Sequence, residues 1–202
     1  MEAASANGAP ASKRYDRQIR IWGAHGQHRL ESCKVALLNC GPTGAEALKN
    51  LVLGGIAGFT IVDGARVSAA DLGNNFMVDA SSLGEPRAKI VTEFVKELND
   101  SVAGSYVEET PEALLESNPA FFSQFTVVIA TQVGLVDSMG KQLCLATTRL
   151  PLLDAPPCFL SPTQMREPDL VRLDEICRQH KVILMVVRSY GLSGVLRVCV
   201  SS

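Results

Sequence analysis

Short apolar runs alternate along the chain with longer stretches in which apolar residues recur every third or fourth position. The runs fall at 34–40 (KVALLNC), 59–63 (FTIVD), 105–109 (SYVEE), 125–130 (FTVVIA), 182–187 (VILMVV) and 194–200 (GVLRVCV). Runs of that length bounded by turn residues read as strands, those at 34–40 and 125–130 as buried ones. Between them, Leu48, Leu51 and Val52 share one helical face, as do Val91, Phe94, Val95 and Leu98, and Leu170, Leu173, Ile176 and Cys177. Thr110 followed by Pro111 marks a helix start. Strands alternating with helices predict an α/β fold, a doubly wound and mostly parallel sheet.

At the N-terminal side, Tyr15, Ile19 and Trp22 recur at helical spacing, with Arg14, Arg17 and Arg20 on the other sides. Gly23 and Gly26 interrupt that helix, and a second short turn follows. The spacing predicts a helical arm whose Tyr15, Ile19 and Trp22 pack as anchors. Residues 1–12 are small and polar and are expected to be disordered. Residues 133–168 contain five prolines, Pro151, Pro156, Pro157, Pro162 and Pro168, and no sustained period. They read as an irregular insertion in a domain spanning 13–202.

Bulk properties narrow the field only a little. A formal net charge of −2 gives no general affinity for nucleic acid or acidic membranes. No apolar run is long enough to span a bilayer. The six cysteines form no C-x-x-C pair, and His25, His28 and His180 form no metal motif. Reduced, buried cysteines in a cytoplasmic or nuclear protein and no bound metal are the expectation.

The chemistry to weigh lies in residues 35–63, a β-turn-α-β unit about thirty residues long. A phosphate-binding turn there needs glycines for close backbone approach and a helix N-terminus to donate N–H groups. The G-x-G-x-x-G positions hold Asn39, Gly41 and Gly44, and Asp63 stands where an acid meets ribose hydroxyls. Asn tolerates left-handed backbone, so the turn can survive. A dinucleotide-binding oxidoreductase and a purely structural βαβ turn both remain open on these residues.

In chain order, "RYDRQIRIWGAHGQ", "NCGPTGAEALKNLVLGGI", "FTIVDGARVSAADLGNNF", "GEPRAKIVTEFVKELN", "FTVVIATQ" and "VRSYGLSGVLRV" resemble the adenylation domain of the activating enzymes for ubiquitin and its relatives. The arm and the residues from Asp63 to Phe76 are most similar to the regulatory, non-catalytic subunit of the heterodimeric neddylation-activating enzyme. The resemblance implies a Rossmann-like adenylation fold of the ThiF type. It also implies a catalytic partner subunit that binds Mg-ATP and joins it to a ubiquitin-like modifier's C-terminal carboxylate. Active members bring several cations and a metal-holding carboxylate to that reaction. Matched position by position, this chain keeps Asp63 but has Ala65 for the second acid of D-x-D. It has Asp71, Asn74 and Asn75 for N-x-x-R-Q, Arg87 for the lysine at a helix head, and Gln132 for a strand-end aspartate. No nucleotide or metal is therefore expected in the chain's own cradle. The same resemblance makes Arg17 a residue delivered in trans to the partner's ATP. The chain is shorter than that family's regulatory subunits, so an interfering or non-functional truncated form is the alternative. An autonomous adenylating homodimer is disfavoured by Ala65, Asn74 and Gln132.

Overall fold

A computed structural model describes residues 14–131, 165–190 and 192–201. The expected tail at 1–12, Gln132 and most of the insertion at 133–168 lie outside the described residues. The elements run α1 (Asp16–Glu31), β1 (Lys34–Leu38), α2 (Pro42–Gly54), β2 (Gly58–Val62), α3 (Arg87–Leu98), β3 (Ala103–Val107), α4 (Pro111–Ser117), β4 (Val127–Thr131), α5 (Glu167–Gln179), β5 (Ile183–Tyr190) and β6 (Ser193–Cys199). Short 3₁₀ turns at Asp71–Gly73 and Ala80–Ser82 shape the connection from β2 to α3.

The strand order is β3-β2-β1-β4-β5-β6. The first five strands pair in parallel, and β6 returns antiparallel on β5. This is the doubly wound α/β architecture expected. Strand alternation splits the core in two. Val35 and Leu37 of β1 face a cluster with Ile61, Leu48, Val52, Val91 and Val95. Ala36 and Leu38 face the other way, toward Val128, Leu115, Phe122, Leu173 and Leu184. Because helices cover both faces, β1 is apolar without alternation. Each fully buried Leu or Val contributes about 1.5–3 kcal/mol.

Two helix starts follow from sequence. The Thr110 hydroxyl accepts from Ala113 N at the head of α4. Pro42 opens α2, and Gly55 ends it in the left-handed region at φ 87°. Helix α5 begins at Glu167, two residues after the buried Met165, so the last residues assigned to the insertion already belong to packed structure.

The arm departs from expectation. Its chain breaks helical geometry at Gly23, with φ 77° and ψ 167°, as the sequence suggested. Gly26, however, lies inside the helix, where a Cβ would come within 2.7 Å of the Trp22 ring. Tyr15 is buried, but Trp22 is 46% exposed and Ile21 78% exposed. The anchors are instead Tyr15 and the buried Gln27. Tyr15 packs over Gly55, where a Cβ would meet its ring at 2.5 Å, and its hydroxyl accepts from Asn99 Nδ2 at 3.2 Å. Gln27 donates to Gly54 O and accepts from the Trp22 indole N–H, both at 3.2 Å. Polar side chains thus hold the arm, which an apolar pattern does not register.

Candidate functional site

The sheet order reverses between β1 and β4, and a crevice at the carboxyl ends of those strands is where such folds bind ligands. Asn39 follows β1 with φ 65°, the left-handed turn anticipated for it. Its N–H donates to Val62 O at 2.9 Å and its Nδ2 to Thr131 O at 3.3 Å. Gly41 caps α2, and Pro42 at the first helical position removes one of the N–H donors an anion would use. Gly44 is required by packing: a Cβ there would lie 2.7 Å from Asn39 O and from Thr131 Oγ1. The Thr131 hydroxyl donates to Asn39 O, tying β4 to the turn.

Asp63 directly follows β2, in the position where ribose would be read, but its carboxylate is already engaged. Its Oδ2 accepts from Cys40 N at 2.9 Å, from the Cys40 thiol at 3.1 Å and from Arg87 Nε at 2.9 Å. Its Oδ1 accepts from Ala65 N at 2.9 Å. Arg87 Nη2 also lies 2.8 Å from Oδ2, as an ion-pair contact without hydrogen-bond geometry. On its other side Arg87 Nη1 donates to Asp71 Oδ1 at 3.0 Å. Asp71 Oδ2 in turn accepts from Ser68 N and Ser68 Oγ at 2.9 and 2.7 Å. All three side chains are buried.

The electrostatics follow from that burial. Desolvation works against the Arg87 cation, but the facing Asp63, with smaller contributions from Cys40 and Asp71, holds its pKa above the ordinary arginine value. Burial, reinforced by the Asp63 carboxylate, pushes the Cys40 thiol well up, so sulfur stays protonated and donates. Two carboxylates against one guanidinium leave the cluster with one net negative charge.

The remaining matched positions add no cation. Asn74 is exposed, on the rim. Asn75 is buried and donates from Nδ2 to Cys40 O at 3.2 Å. Ala65 accepts at its carbonyl from Arg87 N at 3.0 Å. The structure therefore brings Asn39, Gly41, Gly44, Asp63, Ala65 and Arg87 to one place. The described residues do not fit Mg-ATP: the one cation they bring to the cradle, Arg87, is committed to Asp63 and Asp71. The pairing of Arg87 with Asp63 and Asp71 was not read from sequence. Its only signal is three charged residues set among apolar neighbours. A cavity of about 130 Å³ lies elsewhere, lined by Leu170, Val171, Leu184, Val186, Val195 and Arg197.

Arg17 is exposed on the first turn of α1 and forms no ion pair among the described residues, whereas Arg20 beside it pairs with Asp16 at 2.8 Å. Tyr15 fixes the arm at Gly55, the end of α2 opposite the cradle. Helix α2 spans 13 residues, or about 20 Å. Arg17, two residues from Tyr15, is thus held far from its own chain's phosphate turn.

With this fold and cradle, the chain is an α/β protein of the kind built around a nucleotide-binding turn, and it belongs to the ThiF family, whose model matches residues 15–139. Among curated proteins it is 49% identical over 192 residues to the NEDD8-activating enzyme E1 regulatory subunit AXL of Arabidopsis thaliana, covering 95% of this chain and 31% of that protein. It is 42% identical over 188 residues to the NEDD8-activating enzyme E1 regulatory subunit of Gallus gallus, covering 93% of this chain and 29% of that one. The chain therefore spans about three-tenths of the length of these relatives. Among solved structures, MccB of E. coli in complex with MccA superposes with a TM-score of 0.67 at 14% identity, over 95% of this chain and 50% of that one. That likeness speaks to the fold alone.

Proposed function

We propose that this chain is the adenylation-fold part of a regulatory, non-catalytic subunit of a heterodimeric NEDD8-activating enzyme. Its own cradle holds no nucleotide, and its catalytic partner binds Mg-ATP and adenylates the modifier. The observation that carries this reading is the buried Asp63–Arg87–Asp71 cluster. Its guanidinium and both carboxylates are committed to one another inside the protein, so none of the three is free to grip triphosphate or metal. The names borne by relatives at 42–49% identity support the assignment to neddylation.

The arm supplies the positive contribution. Arg17 is a permanent cation with a planar fork of donors, unpaired among the described residues and fixed away from its own cradle. Delivered to the partner's ATP, it would stabilise the charge that develops as the modifier's carboxylate attacks. Such trans arginines are worth about 10³–10⁵ in rate elsewhere. The test is ATP–pyrophosphate exchange. The chain alone is expected to be silent, the reconstituted pair active, and Arg17→Ala to lower the saturated rate of the pair at least tenfold. Full activity of the Arg17→Ala pair would remove the trans arginine from the reading.

A second reading, an interfering form that pairs without completing a working complex, has one observation in its favour. Strand β6 leaves Val195, Leu196 and Val198 about half exposed or more, an apolar sheet edge of the kind that seeks another chain. Light scattering of the chain mixed with the catalytic subunit separates the two. A 1:1 complex that exchanges pyrophosphate supports the first reading, and one that does not supports the second. An oxidoreductase role finds no support, because the carboxylate that would take ribose is filled by Arg87.

A further inference from the structure

Helix α5 and the outer strands do not close fully on one another. Glu167, Leu170, Val171 and Asp174 recur at helical spacing and form one stripe along α5. Antiparallel pairing sets Val186 opposite Arg197 and Arg188 opposite Val195, so side-chain alternation brings these four to one face of the sheet. Leu170 and Leu184 are buried and join the core, but Val171 and Val195 are each about half exposed. The wedge left between helix and strands is the cavity of about 130 Å³, with an apolar floor and an open mouth. Four charged residues line it, Glu167, Asp174, Arg188 and Arg197. Both acids are already paired: Glu167 with Arg188 at 3.4 Å, and Asp174 with Arg178 at 3.0 Å. Arg197 forms no ion pair among the described residues. It is the one lining charge left uncommitted there, and it sits beside the apolar floor.

We infer that this cavity binds a small apolar carboxylic acid, with the carboxylate on Arg197 and the hydrocarbon body between α5 and the outer strands. Volume bounds the body. A cavity of about 150 Å³ lined by aliphatic and aromatic side chains takes one benzene ring, so a ring or branched chain of about six carbons fits here. Charge fixes the head group. Three arginines, Arg178, Arg188 and Arg197, stand against two acids around the cavity. That excess disfavours a cation, and a neutral ligand leaves the Arg197 fork unused. A carboxylate meets a planar guanidinium through two parallel hydrogen bonds. Arg14, Arg29, Arg66 and Arg172 also have no carboxylate partner among the described residues, but none of them lines the cavity, so none offers an anion an apolar wall. A second copy of the chain is a poor occupant. Strand β6 contains no acid, so pairing along that edge would bring Arg197 no partner. The site does not depend on the regulatory-subunit reading, and the ligand is bound without being changed.

The test titrates phenylacetate into the isotope-labelled full chain and follows amide chemical shifts, with phenylacetamide as the neutral counterpart. Phenylacetate is expected to saturate with a Kd of about 0.1–1 mM, the range open to a ligand of about ten heavy atoms. The amides that move should be those of Leu170, Val171, Val186 and Val195. Phenylacetamide should bind at least about tenfold more weakly, having lost the charge-assisted contact. Arg197→Gln should bring phenylacetate down to the affinity of the amide while leaving the amide unchanged. Val171→Phe, which fills the cavity, should abolish binding of both. Both positions are exposed, so both variants should keep the parent's unfolding midpoint. The absence of a saturable shift up to about 10 mM overturns the site. Equal affinity for acid and amide, or an Arg197→Gln variant that binds like the parent, overturns the role of the guanidinium and with it the acid. Shifts clustered around Arg14, Arg29 or Arg66 overturn the site in favour of general anion binding. A peptide ending in phenylalanine that binds more tightly than phenylacetate overturns the small acid in favour of a chain end.

Discussion

Arg87 stands at the head of α3 with a carboxylate on either side, and its environment explains why it cannot be read as a phosphate ligand in waiting. Removing it would leave Asp63 and Asp71 buried and uncompensated. Arg87→Ala should therefore destabilise the fold by about 3–5 kcal/mol, read as a shift in the urea midpoint. Arg87→Lys should recover only part of that, since one ammonium cannot span both acids as the fork does. Buried thiols give a second test at this scale. Burial, with smaller contributions from Asp174 and Cys199, pushes Cys177 from its ordinary 9.0 up to about 12. The folded state then holds a proton that the unfolded chain releases. This contribution to stability is complete below about pH 9 and is lost progressively as pH rises toward 12. The urea midpoint should fall more steeply across that interval for the parent than for Cys177→Ala. The residues of the cradle were legible singly, through Asn39, Gly44 and Asp63. The pairing of Asp63, Arg87 and Asp71 was not, because no local period links residues separated by 8 and 16 positions.

At the scale of elements, α2 joins the two halves of the account. Its first turn packs so closely on the β1 turn that Gly44→Ala would drive a Cβ into Asn39 O and the Thr131 hydroxyl. A loss of about 1–3 kcal/mol is expected, with no compensating gain elsewhere. Its last turn carries the arm. Gly55→Ala meets the Tyr15 ring and a positive φ, so it should loosen α1 as well as lower stability. Proteolysis is the sensitive readout: cleavage within the arm should quicken in Gly55→Ala while Thr110→Ala, a cap variant on α4, leaves it unchanged. Strands β1, β2 and β4 were readable because burial on both faces makes each a short apolar run, whereas β3 is largely exposed. The arm's true anchors were not. Trp22 matched the helical stripe but only half covers itself, while Gln27 and Asn99 hold the contact by hydrogen bonds that hydropathy cannot reveal.

The whole molecule separates a spent cradle from an available arm by the length of α2. Tyr15 holds Arg17 at the end of α2 opposite the cradle, and Arg17 forms no ion pair among the described residues. On the proposed reading, function belongs to the pair. That division was visible in the sequence only through family resemblance; the physical basis for it, an arginine committed to two buried carboxylates, required the fold. The most direct test is a calorimetric titration of the isolated chain with Mg-ATP. The account predicts no saturable heat up to about 1 mM, where binding would be worth only about 4 kcal/mol. Stoichiometric binding at micromolar concentration, abolished by a substitution at Asp63 that leaves the fold intact, would contradict it.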